Sequence, residues 1–247
     1  MTGTTRLVSV VIDANDPGRL ARWWADRLGW PVTAESGGEV VVEPSAESPL
    51  GLVPALLFLP VPEGKTGKDR LHLDLASKSV QDQQAQVEAA LAAGARRVDV
   101  GQGDVPWEVL EDPEGNEFCI LEPRDAYAGR GPLAAIVIDC AEPAKLAEFW
   151  VQAAGWPIGY ADDEMTSLHN PAGTLPDLDL LQVPEGKQVK NRLHLDVAPT
   201  VGADLDAETR WLIDLGATPA DVGQGPDVTW RVLSDPEGNE FCVLRPR

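Results

Sequence analysis

Asp112-Pro113-Glu114-Gly115-Asn116-Glu117-Phe118-Cys119 returns later in the chain as Asp235-Pro236-Glu237-Gly238-Asn239-Glu240-Phe241-Cys242. Each copy reads as a turn feeding a strand. Proline presets the second turn position, glycine tolerates positive φ, and the Asp and Asn side chains can bond turn amides. Three more blocks pair in the same order. Val61-Pro62-Glu63-Gly64-Lys65 matches Val183 to Lys187, Arg70-Leu71-His72-Leu73-Asp74 matches Arg192 to Asp196, and Asp99-Val100-Gly101-Gln102-Gly103 matches Asp221 to Gly225. The chain is therefore two collinear copies of one unit of about 120 residues, and a residue type kept in both has in effect been sampled twice.

A length of 247 residues allows one large core or two ordinary ones, and the repeat favours two. The expected boundaries are residues 1–123 and 133–247, joined by a linker at 124–132 that is marked by Gly129, Gly131 and Pro132. The net charge of −20 is spread along both copies, so it reads as a solvated surface. Such a charge repels phosphate backbones and argues against a nucleic-acid partner. No apolar run approaches the roughly 20 residues a membrane span needs, and Met1 to Arg6 lacks the apolar core of a signal peptide. The cysteines, Cys119, Cys140 and Cys242, are odd in number and sparse, which suits a reducing cytoplasm better than a disulfide framework.

Within each copy a buried strand (Leu7 to Ile12) precedes a helix. Asp16-Pro17 supplies an N-cap and a first-position proline, Leu20, Trp23, Trp24 and Leu28 share a face, and Gly29 ends the helix. The second copy repeats this with Glu142-Pro143, Leu146, Phe149, Trp150 and Gly155. Glu39 to Glu43 and Ala55 to Val61 read as short strands, followed by a strand at Arg70 to Leu75 and a helix from Val80 to Ala93. Val98 to Val100, Trp107 to Leu110 and Glu117 to Leu121 are further strands. A helix follows only the first strand of each half-copy. The pattern is α+β, four βαβββ units with curved mixed sheets, rather than a doubly wound parallel sheet.

This order, the Trp-rich first helix ending in Gly29-Trp30-Pro31, the Arg-x-His-Leu-Asp strand and the Asp-Pro-Glu-Gly-Asn turn resemble the vicinal oxygen chelate superfamily, and within it the glyoxalase-like domain, present twice. The superfamily also holds extradiol dioxygenases and bleomycin-type resistance proteins. The resemblance implies tandem domains whose paired βαβββ units curl into cups around a ligand, often at a metal. It leaves function open, since the fold hosts both enzymes and binding proteins. Superfamily units of this length usually pair, so the two copies are expected to pack as a pseudo-dimer within one monomeric chain.

Strict alternation places Arg70, His72 and Asp74 on one strand face and leucines on the other, and Arg192, His194 and Asp196 repeat the stripe. Only three histidines exist, and two occupy this position. Three readings stand: a histidine clamped structurally between Arg and Asp, one that touches a ligand or acts as a catalytic base, and a metal ligand. The resemblance implies metal ligands in the first, fifth and last strands of a unit. Those positions hold Ser9 or Ala135, His72 or His194, and Cys119 or Cys242. A set so thin in donors predicts no resident metal, though a divalent ion shared between the copies stays open. Cys119 and Cys242 read as core or wall rather than nucleophiles, because no basic residue adjoins them.

Trp24 and Trp150 fall on the buried helix face, whereas Trp107 and Trp230 precede the turn, in strands expected to wall the cup, and can stack on a flat ligand. Gln182 stands where the first copy has Pro60, so the two cups are not chemically equal. The expected ligand-contacting set is Arg70, His72, Asp74, Trp107 and Cys119 in one copy, and Gln182, Arg192, His194, Asp196, Trp230 and Cys242 in the other. The favoured function is binding of a small organic molecule without metal. The alternative is a metal-dependent glyoxalase-like lyase or isomerase, or a dioxygenase, using His72 or His194 as ligand or base.

Overall fold

The computed structural model describes residues 3–44, 53–174, 176–225 and 227–247, so Met1 and Thr2 of the N-terminal stretch lie outside the described residues. The first βαβββ unit comprises β1 (Thr5–Ala14), α1 (Pro17–Leu28), β2 (Val32–Ser36), β3 (Glu39–Val42) and β4 (Ala55–Pro60). The second comprises β5 (Leu71–Leu75), α2 (Val80–Ala92), β6 (Arg96–Arg97), β7 (Glu108–Glu111) and β8 (Glu117–Ile120). After a 3-10 turn at Asp125–Tyr127, the third unit runs β9 (Leu133–Cys140), α3 (Pro143–Ala154), β10 (Ile158–Ala161), β11 (Met165–Leu168) and β12 (Asp177–Gln182). The fourth runs β13 (Leu193–Pro199), α4 (Leu205–Asp214), β14 (Thr218–Pro219), β15 (Arg231–Ser234) and β16 (Glu240–Val243).

Local chemistry explains the helix limits. Asp16 accepts a hydrogen bond from the Arg19 amide at 3.0 Å, Pro17 opens α1, and Gly29 closes it at φ +65°. Glu142, expected to cap α3 in the same way, makes no such bond with its side chain. Glu237, from the later turn, accepts instead from the amides of Ala141 and Glu142 just ahead of the helix, at 2.7 and 2.9 Å. Glu114 likewise accepts from the amides of Asn15 and Asp16 ahead of α1, at 2.7 and 2.8 Å. Each repeated turn thus places a carboxylate at the positive end of a helix dipole.

Three strand readings need correction. β2 was not anticipated because all five of its residues are exposed, leaving no apolar alternation to read. β6 is Arg96–Arg97, so Val98 to Val100 lies beyond it, and Trp107 sits just before β7 rather than in it. Both displaced segments border the short strands β6 and β7 at one end of their sheet, where pairing rather than composition sets the limits.

The strands form two eight-stranded sheets, ordered β14-β15-β16-β13-β1-β4-β3-β2 and β10-β11-β12-β9-β5-β8-β7-β6. Each sheet joins a half of one repeat to a half of the other through an antiparallel central pair, β1 with β13 and β9 with β5. α1 packs on β3 and β4 of the first sheet, while its Trp23 and Trp24 meet Phe118 of the second edge-on, with centroids 5.5 and 5.3 Å apart. Phe149, Trp150 and Phe241 repeat the arrangement around α3. Trp24 and Trp150 are buried as expected, and their indole N–H groups donate to Asp112 and Asp235, both at 3.2 Å.

One core therefore runs between the sheets. The leucines at 71, 73 and 75 face it, and the alternate residues are directed to the opposite face.

Candidate functional site

Cross-strand register assembles the same constellation on the outer face of both sheets. In the β5–β9 sheet, Ser167, Asp179, Val137 and His72 form one row across β11, β12, β9 and β5. The next row is Asp177, Ala135, Asp74, Cys119 and Val109. In the β1–β13 sheet the matching rows are Val41, Leu57, Val11 and His194, then Ala55, Ser9, Asp196, Cys242 and Val232. We refer to these faces as the His72 cup and the His194 cup.

At the centre of each, a histidine, an aspartate and a cysteine place one ligating atom apiece within 4.8 Å of one another. His72 Nε2 lies 3.4 Å from Asp74 Oδ1, and His194 Nε2 lies 3.9 Å from Asp196 Oδ1. Burial shapes the electrostatics. It drives both thiols far above the ordinary cysteine range, with the neighbouring aspartate charge adding to the effect. It also raises Asp74 and Asp196, although the histidine beside each pulls the other way. Burial holds His194 below the ordinary imidazole value, favouring its neutral form. In neither cluster is the cysteine a ready nucleophile.

By donor type and spacing each cluster fits a divalent ion. An imidazole, a carboxylate and a thiolate can fill three corners of a tetrahedron, and an ion would have to displace the thiol proton. The first-strand position contributes no fourth ligand in the His72 cup, where it is Ala135. In the other cup the Ser9 hydroxyl is turned to Asp196 Oδ2 at 2.9 Å.

The remaining expected site residues separate into those the fold brings to the cups and those it does not. Trp107 and Tyr127 each pack against the cluster of Val109, Cys119, Leu121 and Ala134, making an apolar wall beside the His72 cluster. Trp230 is 36% exposed, and Gln182 sits at the end of β12, donating to the Ala141 carbonyl at 3.2 Å.

Arg70 and Arg192 are directed elsewhere. Arg192 donates to Asn116 Oδ1 at 3.0 Å and to the carbonyls of Glu63 and Asp13 at 2.8 and 2.6 Å, and pairs with Glu114 at 3.0 Å. Arg70 donates to the Glu185 carbonyl and reaches Glu237 at 3.4 Å. Each arginine stands just before its strand, where a long side chain can reach the turn of the other repeat. A histidine clamped between Arg and Asp is therefore not what the fold contains.

Several cup residues escaped the sequence reading. Asp177 and Asp179 lie on β12, and Arg130 from the linker holds Asp177 through two contacts of 2.9 and 3.1 Å. Asp179 is pushed up to about 7 by burial, with Asp74 and Asp177 nearby adding to the shift and Ser167 and Arg124 opposing it. The signal was present: Asp177-Leu-Asp-Leu-Leu-Gln aligns with Ala55-Leu-Leu-Phe-Leu-Pro, so two carboxylates replace an alanine and a leucine on the cup face. The linker does more than connect, since its Tyr127 and Arg130 meet the rim of the His72 cup.

The sequence model of the glyoxalase-like domain family matches residues 9–121 and again 135–244. The chain belongs to the glyoxalase-like domain family. These two matches coincide with the repeats and place the protein in the vicinal oxygen chelate superfamily. Among solved structures, glyoxalase I from Zea mays superposes with a TM-score of 0.65 at 14% identity, over 98% of this chain and 92% of that one. A Bacillus subtilis protein provisionally described as a dioxygenase superposes with a TM-score of 0.64 at 11% identity, over 99% and 86%. At such identities the likeness is one of fold. No curated protein sequence matches the chain. Among the described residues no helix is long and apolar enough to cross a membrane.

Proposed function

We propose that this glyoxalase-like protein binds a small organic molecule on the concave faces of its sheets, without a resident metal ion. One observation carries the reading. Both repeats place a polar His–Asp–Cys cluster at the centre of a sheet face, among largely apolar positions in the His194 cup and between apolar Val137, Ala135 and Val109 and the acids of β12 in the His72 cup, and burial keeps the thiol protonated. A few convergent polar groups in an apolar surround orient a bound molecule. A protonated thiol is neither nucleophile nor ligand until its proton leaves. Three free, buried cysteines and the spread negative charge are in keeping with a reducing, cytoplasmic setting and with partners other than nucleic acid.

The spacing of the clusters favours one second reading, a metal-dependent lyase, isomerase or dioxygenase. His72, Asp74 and Cys119, or their counterparts, would hold the ion, which when bound would act as a Lewis acid on a ligand oxygen. Metal analysis of freshly purified, untagged protein separates the two. Substoichiometric metal and a melting temperature indifferent to chelator support the binder. About one equivalent of zinc, iron, manganese or nickel per cluster, with loss of stability on removal, supports the enzyme.

A further inference from the structure

The two cups differ at one register position in a way that leaves one oxygen of an acid without a donor, although the Cys119 thiol bonds the same Asp74 carboxyl. In the His194 cup, Ser9 stands opposite Asp196 and donates to its Oδ2 at 2.9 Å. In the His72 cup the same position is Ala135, which has no donor to offer, and Asp74 Oδ1 has no hydrogen-bond partner among the described residues. Two strands away, where the His194 cup has Leu57, the His72 cup has Asp179. That residue is only 7% exposed, and its Oδ1 is likewise unpartnered. A buried acceptor left without a donor is costly, and two on one face point to a donor missing from the chain itself.

The cations already present do not supply it. Arg130 spends both terminal nitrogens on Asp177. Arg124 donates to Glu122 at 2.7 Å and lies over the Tyr127 ring at 5.8 Å. His72 approaches Asp74 only to 3.4 Å, too far for a good hydrogen bond. On the other side of the cluster stand Trp107, Val109 and Leu121, an apolar and aromatic wall, while Tyr127 lies near the acids. Acceptors at one end and an aromatic wall at the other select a ligand that is itself divided.

We propose that the His72 cup takes an organic cation, a primary ammonium or guanidinium group carried on an apolar or aromatic body. The cationic head donates to Asp74 Oδ1 and Asp179 Oδ1, while the body lies against Trp107 and Tyr127. The His194 cup, with Ser9 in place and Leu57 for Asp179, is not built for the same ligand. This inference rests on the small-molecule reading above and narrows it to one cup and one charge type.

The test titrates the full chain by calorimetry with three probes of like shape: phenethylamine, 2-phenylethanol and 3-phenylpropanoate, all to millimolar concentration. Phenethylamine should bind roughly tenfold or more tightly than either of the others. Two variants copy the other cup: Asp179→Leu reproduces Leu57, and Ala135→Ser reproduces Ser9. Each should weaken phenethylamine by at least several-fold without lowering the melting temperature. Equal or tighter binding of the neutral or anionic probe, lost on Trp107→Ala, overturns the cation inference while leaving the small-molecule reading intact. Phenethylamine binding indifferent to both Asp179→Leu and Ala135→Ser also overturns the cation inference. Binding by none of the three overturns it, and stoichiometric uptake of a divalent ion by the same untouched chain would overturn the metal-free reading as well.

Discussion

Arg192 of the second repeat holds Glu114 of the first across 3.0 Å, and the same carboxylate accepts the two amides ahead of α1. One side chain thereby ties together a helix start, a turn and the far half of the molecule. Both partners are largely buried, with side-chain exposures of 9% and 13%. The counterpart is looser: Arg70 meets Glu237 at 3.4 Å, and its Nε has no partner among the described residues. Removing one member of a buried, hydrogen-bonded pair typically costs about 3–5 kcal/mol. Arg192→Ala should therefore destabilise by about that much and Arg70→Ala by distinctly less, in denaturant unfolding. Equal losses would show that the two clasps carry the same load.

The buried Asp179 makes stability depend on pH. Its folded value of about 7 lies above the ordinary 3.8, so the folded chain binds this proton more tightly than the unfolded chain does. The associated stability is complete below about pH 4 and is lost as pH rises through about 7. Asp179→Leu removes that loss. The variant should gain on the parent chain by about 3 kcal/mol between about pH 5 and about pH 8. A difference independent of pH would mean that the carboxyl ionises normally in place.

Neither central histidine is gripped by its aspartate, the distances being 3.4 and 3.9 Å. His72→Ala and His194→Ala should each leave the melting temperature nearly unchanged. In a cup that holds a ligand, the substitution should weaken affinity by about 1–3 kcal/mol, the cost of leaving a buried polar group unpaired. Several degrees of lost melting temperature with unchanged affinity would assign these residues a purely structural role.

The thiols offer a chemical check. Cys119 and Cys242 are each 7% exposed and held far above the ordinary range, while Cys140 is pushed up to about 12. Alkylation with iodoacetamide near neutral pH should be negligible until denaturant is added. Rapid labelling of Cys119 in the native protein would reveal an activated thiol and favour the enzymatic reading.

Because β1 pairs with β13 and β5 with β9, one repeat alone leaves an edge of β1 and an edge of β5 without their partner strands. The intact chain should sediment as a monomer. A fragment of residues 1–123 should self-associate into a dimer or aggregate rather than remain a single folded unit. A stable monomeric fragment would show that the cross-repeat pairing is dispensable.

The repeat, the βαβββ order and the buried faces were legible because each leaves a periodic or duplicated trace. Leu71, Leu73 and Leu75 alternate with polar residues, and Trp24 sits on a capped amphipathic helix. Other features leave no such trace. β2 is fully exposed and is held by pairing with β3 and by polar contacts such as that of Glu35 with Arg22 of α1 at 3.4 Å. Arg70 shares the parity of His72, but a flexible side chain at a strand end goes where a carboxylate waits. Asp177 and Asp179 were hidden because a strand alternating Asp and Leu looks like an ordinary half-solvated one. Only the register against Val137 and His72 shows that these acids face the cup.

The pairing of halves across the linker bears on how such a protein can change. Were the same sheets formed by two identical chains, every substitution would be written into both cups at once, and an awkward residue would be suffered twice. With both halves encoded in one chain that symmetry is broken. A carboxylate can enter the face of β12 while β4 keeps its leucine, and Ser9 can persist where the later copy has become Ala135. Duplication has given this molecule one cup free to specialise while the other retains a different chemistry.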